Sequence, residues 1–283
     1  YENHKYTYGQ LDTISTKIAK ILVSKGIKAE KVVGVLVPRN EFITICSIGV
    51  LKSGGAYLPM DTTYPKDRLN FMLQDSAAQI LITTHELASI IDSNFTGEII
   101  YIEDIDSIAE PNVTLPKPKM KDLFIMLYTS GSTGKPKGVM IEQHNLANFV
   151  NLNKKHLAIY SFVHDIKANL AIASISFDMS ICEIFPSICN GGTVCMAIDD
   201  EIHNPVKLMN LVEENNVESI VCTPSFLSNI VDEDILKNKL KAIKTYIVGG
   251  ESFQEALFKK LKDIIDIHRQ TIDTAIKRRS NRK

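Results

Sequence analysis

The sequence has little net charge and no long apolar run, and each absence excludes a class of protein. Its 32 Lys and Arg residues nearly balance its 33 Asp and Glu residues, so a net charge of -1 gives no overall field to attract nucleic acid or an anionic membrane. Gly, Lys or Ser breaks every apolar stretch well before the length that crosses a bilayer. Residues 1–5 also lack the apolar core of a signal peptide. The sequence therefore predicts a cytoplasmic protein with neither a nucleic-acid nor a membrane partner.

Cysteine is scarce, and its spacing excludes the common metal and redox motifs. No two of the five cysteines form a C-x-x-C pair, their number is odd, and most lie inside apolar runs. Such residues are typical of reduced, buried side chains in a cytosolic protein. The five are Cys46, Cys182, Cys189, Cys195 and Cys222.

Short β-branched runs alternate with helix-period segments along the whole chain. The run Val32–Val37 is typical of a fully buried strand, Asn40 is placed to cap the next helix, and Tyr6–Tyr8 suggests an early strand. This pattern predicts an α/β fold with mainly parallel sheets covered by helices. A proline-rich stretch at 110–122 suggests a linker between two sheet-and-helix units that meet at a cleft. The expected division is 1–122 for the first subdomain, 123–263 for the second, and 264–283 for a divergent basic tail.

Ten residues that follow a predicted buried strand have the composition of a phosphate-binding loop. They include three glycines, which let the backbone approach a ligand, four hydroxyl side chains and two lysines. A Walker A loop is excluded, because that motif needs Gly where Thr129 stands and Ser or Thr where Pro136 stands. The loop reads Thr129-Ser130-Gly131-Ser132-Thr133-Gly134-Lys135-Pro136-Lys137-Gly138.

This loop resembles the signature of the adenylate-forming superfamily, which includes acyl-CoA ligases, luciferases and the adenylation domains of non-ribosomal peptide synthetases. Four more segments resemble other core motifs of that superfamily, in the same order along the chain. Leu51–Asp61 is similar to the second core motif in its peptide-synthetase form. The other three are Tyr6–Leu11, Phe177–Ser180 and Gly249–Glu251.

The resemblance implies a two-step reaction. A substrate carboxylate attacks the α-phosphate of Mg-ATP to give an acyl adenylate and pyrophosphate, and a carrier thiol then takes the acyl group. It thus implies ATP and Mg²⁺ as cofactors and a carrier-protein domain with a phosphopantetheine arm as partner. Charge neutralisation and alignment supply most of the catalysis in such a phosphate site. The residues implied to hold the ATP phosphates are Thr129, Ser130, Gly131, Ser132, Thr133, Gly134, Lys135 and Lys137.

Asp178 narrows the expected substrate. In members that activate amino acids, the Asp of this motif pairs with the α-ammonium group, and a carboxylate is a good partner for that cation. The alternative is that Asp178 only terminates a strand or caps a helix. A capping box formed by Ser180 and Glu183 would start that helix unaided, which leaves Asp178 available for another role. The resemblance therefore implies an amino-acid substrate, with Phe177 either as a wall of the reaction centre or as a core residue.

Other positions are implied to shape the substrate and adenine pockets. Met179, Cys182, Val221 and Ile247 fall where specificity positions lie in peptide synthetases, and their apolar character suggests a hydrophobic substrate side chain. Each also suits ordinary packing. The loop Gly249-Gly250-Glu251 corresponds to the adenine side, and its glycines would let a flat base approach the backbone.

The sequence also departs from the family. No Tyr-Gly-Pro-Thr-Glu motif, which supplies the adenine-stacking Tyr and a metal-binding Glu, follows Gly249–Glu251, and no protein metal site is predicted. The family's catalytic Lys belongs to a later domain. We therefore expect the chain by itself to activate its substrate poorly. Two alternatives stay open: a D-alanine–carrier-protein ligase, which Thr223–Phe226 suggests, and a non-catalytic nucleotide-binding remnant.

Overall fold

The computed structural model of the chain divides into two compact units. The first comprises residues 1–149 and 174–178, and the second comprises 150–173 and 179–283. The residues that the structure describes are 4–130, 135–151, 164, 166–231 and 236–264.

A six-stranded sheet with order β4-β3-β1-β2-β5-β6 forms the centre of the first unit. The first five strands run parallel, as the buried apolar runs predicted, and β6 is antiparallel to β5. Its strands are β1 (Val32–Leu36), β2 (Ala56–Pro59), β3 (Ile80–Thr83), β4 (Glu98–Tyr101), β5 (Leu123–Thr129) and β6 (Lys137–Glu142). Its helices are α1 (Tyr8–Ser24), α2 (Glu41–Lys52), α3 (Lys66–Asp75), α4 (His85–Ala88) and α5 (Gln143–Val150), with a 3₁₀ helix at Ile102–Ser107.

Side-chain caps determine where the first helices begin. Asn40 caps α2 as predicted, because its side-chain oxygen accepts a hydrogen bond from the amide of Phe42 at 3.0 Å. The strand expected at Tyr6–Tyr8 is wrong. Thr7 instead forms a capping box with Gln10, and α1 starts at Tyr8. The β-forming tendency of the short segment is thus outweighed by two hydrogen bonds that favour a helix.

The stretch 110–122 packs on the first unit and does not join the two units as expected. The side chains of Lys20 and Glu110 form an ion pair near its start. Pro116 lies so close to Gly54 that a Cβ there would be 3.0 Å from the proline ring. The strand that follows, β5, then pairs with β2. The first unit consequently extends to Phe149, beyond the boundary expected at residue 122.

The second unit contains a four-stranded, fully parallel sheet with order β10-β9-β7-β8. Asn204 caps one of its helices, accepting from the amides of Val206 and Lys207 at 3.1 and 3.2 Å. The strands are β7 (Ala168–Ala171), β8 (Thr193–Met196), β9 (Ser219–Cys222) and β10 (Thr245–Val248). The later helices are α6 (Asp178–Cys189), α7 (Asp199–Ile202), α8 (Pro205–Glu214), α9 (Pro224–Val231), α10 (Lys237–Leu240) and α11 (Glu255–Ile264).

All five cysteines lie in the described part of the chain, and none of them forms a disulfide there. Cys46, Cys195 and Cys222 are buried, and Cys182 is half-buried. Cys189 departs from the expectation, since it is exposed near the end of α6. None of the helices in the described part of the chain has the length and hydrophobicity that a bilayer crossing requires.

Candidate functional site

The phosphate-loop candidate connects two paired strands. β5 and β6 form an antiparallel ladder in which Thr129 lies opposite Lys137 and Tyr128 lies opposite Gly138. β5 and β6 therefore form an antiparallel hairpin. Side chains directly opposite one another on such a ladder share a face, with Cβ atoms about 5 Å apart. The Thr129 hydroxyl and the Lys137 ammonium group are thus presented on the same side of the hairpin.

The described residues of this loop offer hydrogen-bond donors to the solvent. Thr129, Ser130, Lys135 and Lys137 are all exposed, so two hydroxyls and two ammonium groups are accessible to a ligand. Hydroxyls and lysine ammonium groups are suitable donors to polyphosphate oxygens. The other four candidates lie outside the described residues: Gly131, Ser132, Thr133 and Gly134.

Tyr128 anchors the strand end from which this loop leaves. Its side chain is buried, and its hydroxyl donates to Asp75 Oδ2 at 2.7 Å. Its ring meets that of Phe71 edge to face, with 6.3 Å between the ring centroids. Burial and the Asp75 carboxylate both raise the pKa of Tyr128, so the hydroxyl stays protonated as a donor. No motif in the sequence indicates this anchor, although Tyr128 stands directly before the loop.

Across the ladder from Tyr128, the main chain approaches closely at Gly138. A Cβ at this position would lie 3.1 Å from Met126 Sδ and 3.3 Å from Cζ of Tyr128. The last glycine of the motif is therefore explained by packing against the anchoring ring. Its place in the motif does not by itself indicate a contact with phosphate.

Phe177 and Asp178 are exposed at the start of α6, in a segment that belongs to the first unit. Asp178 is the first residue of that helix, where a carboxylate interacts favourably with the helix dipole. Phe177 is 61% exposed, which excludes the alternative that it is a core residue within this chain. Both side chains are thus accessible to a ligand.

The capping box expected at Ser180 and Glu183 is wrong. α6 begins two residues before Ser180, so Ser180 lies inside the helix and is buried. The Glu183 carboxylate instead accepts from the amide of Ile172 at 3.1 Å and from that of Ala173 at 3.0 and 3.1 Å. Asp178 thus occupies the first helical turn itself, and its helix-stabilising role must be tested beside any role in binding.

Glu183 holds α6 against the end of β7, a role that no sequence motif indicates. The side chain is completely buried, and its main-chain oxygen accepts a hydrogen bond from the Asn169 side chain. Asn169 accepts in turn from the hydroxyl of Ser219 on the neighbouring strand, at 3.0 Å. The only sequence signal is an acidic residue in an otherwise apolar segment.

Two of the four apolar specificity candidates lie side by side. Val221 in β9 is paired with Ile247 in β10, so their side chains share one face of the second sheet. Their sequence neighbours, including Ile220 and Cys222, pack into the hydrophobic core on the other face. Met179 and Cys182 are half-buried on α6.

The Gly249–Glu251 loop is held in place by contacts within the second unit. The amide of Gly249 donates to the carbonyl of Cys222 at 3.1 Å, and Gly250 has a φ of 86°, which favours glycine. The Glu251 carboxylate accepts from both the amide, at 3.2 Å, and the hydroxyl of Ser225, at the start of α9. Glu251 thus links the loop after β10 to the helix after β9. Its part in adenine binding stays a prediction.

The donor set fits an anionic ligand better than a protein-held metal. In the described ranges, no group of three His, Cys, Asp or Glu side chains is arranged to hold a metal ion. Mg²⁺ characteristically keeps several waters and binds through substrate phosphates with one or two carboxylates. The described residues are therefore compatible with an ion that arrives with ATP.

A protein-family model described as AMP-binding enzyme matches residues 1–272. The chain belongs to this family. The AMP-binding match continues past residue 264, where the sequence alone suggested that the resemblance ends. The superfamily predicted from the ordered motifs is thereby confirmed.

Curated relatives include large peptide synthases. The chain is 29% identical to tyrocidine synthase 1 of Brevibacillus parabrevis over 265 residues, which cover 93% of this chain and 24% of that protein. It is 34% identical to bacitracin synthase 3 of Bacillus licheniformis over 267 residues, which cover 92% of this chain and 4% of that protein. The chain therefore spans less than a quarter of the length of these two relatives.

Solved structures show the same fold at lower sequence identity. The N-terminal subdomain of Klebsiella oxytoca NpsA, in complex with 3-hydroxyanthranilyl-AMSN, matches with a TM-score of 0.79 and 20% identity, covering 92% of this chain and 64% of that one. The AMPPNP-bound form of the nonribosomal peptide synthetase FmoA3 matches with a TM-score of 0.80 and 22% identity, covering 93% and 28%. The fold is that of the N-terminal subdomain of adenylate-forming enzymes, as the motifs predicted.

Proposed function

We propose that the chain contributes the phosphate-binding and ammonium-binding parts of a site that activates an amino acid as its aminoacyl adenylate. One observation carries the proposal: the β5–β6 hairpin presents two exposed hydroxyls and two exposed lysine ammonium groups, in a member of the AMP-binding family. An amino-acid substrate, ATP and a carrier-protein domain with a phosphopantetheine arm follow from that family and its peptide-synthase relatives.

The loop residues would act through charge and position. Lys135 and Lys137 would neutralise the phosphate oxygens, and Thr129 and Ser130 would donate hydrogen bonds that orient them. When bound, Mg²⁺ would supply further charge neutralisation at the phosphates. Neutralised and aligned phosphates favour attack at the α-phosphate, because pyrophosphate departs as a concentrated negative charge.

The Asp178 carboxylate would bind the α-ammonium group of the substrate and so orient its carboxylate. An exposed carboxylate next to an exposed aromatic ring offers both a charge partner and an apolar surface.

The test compares each amino acid with its des-amino analogue, which keeps the carboxylate and the side chain but lacks the ammonium group. Calorimetric titration of the purified chain should show tighter binding of the matched amino acid. Asp178→Asn should weaken that binding about tenfold, the loss expected for one charge-assisted hydrogen bond. Binding of the des-amino analogue and of Mg-ATP should stay unchanged.

Asp199→Asn is the matched control, because Asp199 is also an exposed first residue of a helix. Both variants lose a carboxylate that interacts with a helix dipole, so both should lose a little stability. An equal affinity for amino acid and des-amino analogue, or an unchanged amino-acid affinity in Asp178→Asn, would contradict the proposal.

A further inference from the structure

Asp61 ends the second core motif and is used by neither the proposed ATP site nor the proposed ammonium site. It follows β2, all four residues of which are buried. The preceding residue, Met60, donates its amide to the carbonyl of Val35 at 2.9 Å and is itself fully buried. Asp61 is half-buried. The carboxylate therefore projects from a rigid point at the carboxyl end of a central strand.

The two carboxylate oxygens of Asp61 have different partners. Oδ1 accepts from the amide of Thr63 at 2.9 Å and from its hydroxyl at 2.7 Å, which shapes the turn after β2. Oδ2 accepts from the hydroxyl of Ser174, which is 113 residues away in sequence but belongs to the same compact unit. Burial alone would raise the pKa of Asp61, but these hydrogen bonds and the charge of Arg39 lower it. Asp61 is thus an anion whose Oδ1 accepts hydrogen bonds from Thr63 and whose Oδ2 accepts one from Ser174.

Ser174 connects Asp61 by hydrogen bonds to the residues that follow Ser174 in the chain. Its hydroxyl donates to Asp61 and also accepts from the amide of Ser176 at 3.3 Å. Its carbonyl accepts from the amide of Phe177 at 3.0 Å. Burial changes abruptly along the segment, because Ser176 is 6% exposed whereas Phe177 is 61% exposed. The segment 174–176 is therefore hydrogen-bonded to Asp61 through Ser174, and the exposed Phe177 and Asp178 follow it directly.

We propose that Asp61 is a positioning residue, which acts through Ser174 to hold Phe177 and Asp178 where a substrate ammonium group would bind. The idea that they position a substrate rests on the proposed function; the tie between Asp61 and Ser174 does not. Misplacing a binding group by about 1 Å is enough to weaken a site markedly. The competing explanation is that Asp61 only shapes its own turn with Thr63, in which case Asp61→Asn would not affect the residues that follow Ser174.

The experiment uses the full chain and measures main-chain hydrogen exchange at single residues. The variants are Ser174→Ala, Asp61→Asn and the two combined, with Ser174→Thr as the version that keeps the hydroxyl. Asp61→Asn replaces a charge-assisted hydrogen bond by a weaker neutral one. Asp67→Asn is the matched control, because it removes an exposed carboxylate from the first turn of α3.

Ser174→Ala should speed exchange of the Ser176 and Phe177 amides about tenfold, while exchange at Thr63 stays as it is in the unaltered chain. Asp61→Asn should produce a smaller increase at the same two amides. The combined variant should match Ser174→Ala alone, because coupled residues are not additive. Ser174→Thr and Asp67→Asn should leave both amides protected. Unchanged exchange at Ser176 and Phe177 in Asp61→Asn, or increases that simply add in the combined variant, would overturn the proposal.

Ligand binding separates this proposal from the proposed function. If the unaltered chain binds an amino acid, Ser174→Ala should weaken that binding about tenfold, the same factor as for hydrogen exchange. Mg-ATP binding should stay unchanged. An amino-acid affinity unaffected by Ser174→Ala would overturn the substrate-positioning role. If the unaltered chain binds no amino acid, the proposed function fails together with that role, whereas the exchange data still decide whether Asp61 holds the Ser174–Asp178 segment.

Discussion

Replacement of Tyr128 by Phe tests whether the phosphate loop depends on its buried anchor. The substitution keeps the ring and its edge-to-face contact with Phe71 but removes the hydroxyl that donates to Asp75 at 2.7 Å. Since Tyr128 is only 3% exposed, no water replaces that hydroxyl without a change in packing. The variant therefore removes one directed hydrogen bond, two residues before the exposed Ser130, and little else.

The expected loss of stability follows from the surroundings of the Tyr128 hydroxyl and the Asp75 carboxylate. A hydrogen bond to a charged acceptor contributes about 1.5–3 kcal/mol when both groups are withdrawn from water. Asp75 is exposed, and its carboxylate would regain water, so we expect a loss near 1 kcal/mol in the free energy of unfolding. With a urea dependence of about 3 kcal/mol per M, the unfolding midpoint should fall by roughly 0.3 M. Mg-ATP affinity should fall about threefold to tenfold, because the end of β5 is less firmly held.

Tyr246→Phe provides the matched control in the second unit. The Tyr246 hydroxyl donates to the carbonyl of Leu240 at 2.5 Å, so this variant also removes one tyrosine hydrogen bond. Urea unfolding and calorimetric titration with Mg-ATP are measured on both variants. Both should be less stable, and only Tyr128→Phe should bind Mg-ATP more weakly. The reasoning is refuted if Tyr128→Phe keeps full ATP affinity, or if both variants lose it equally.

Three further substitutions test other parts of the structure, all by urea unfolding. Glu183→Gln should lower the free energy of unfolding by about 2 kcal/mol, because the NH₂ group of the glutamine would face main-chain amides that now donate to a carboxylate. A loss below about 0.5 kcal/mol would contradict the role of Glu183 in holding α6. Gly54→Ala should lower the free energy of unfolding by about 1 kcal/mol more than Gly26→Ala does. Both glycines have a positive φ, but only at Gly54 would an added Cβ press against Pro116. Equal losses in the two variants would refute this explanation. Asp61 has a lowered pKa, so its stabilisation is complete above its unfolded pKa of about 3.9 and is lost as pH falls through the lower folded value. The stability difference between the unaltered chain and Asp61→Asn should therefore shrink below about pH 4, and a difference that grows with acidity would contradict this.

Local signals in the sequence predicted most of the fold. The buried strands and the cap at Asn40 depend on hydrophobic period and on residues within three positions of one another, so they are visible in the sequence. The failures have physical causes. At Thr7, a capping box outweighs a short β-forming segment, and at Glu183 a buried carboxylate binds amides of another element.

The candidate site was predictable only in part. Composition and motif order were enough to indicate the Thr129–Gly138 loop and its family. The hydrogen bonds of Asp61 to Ser174 and of Tyr128 to Asp75 join residues 113 and 53 positions apart, and no local pattern encodes such pairs. The sequence could therefore indicate candidate binding residues, but not the residues that hold those candidates in place.

The most direct test of the central claim is calorimetric titration of the folded chain with Mg-ATP, with and without the two loop lysines. The account predicts saturable binding that weakens at least tenfold when Lys135 and Lys137 are both replaced by Ala, since each would contribute a charge-assisted hydrogen bond. Replacing Lys241, an exposed lysine in the second unit, should leave the affinity unchanged. A folded chain that shows no binding, or a double variant that binds as tightly as the unaltered chain, would contradict the account.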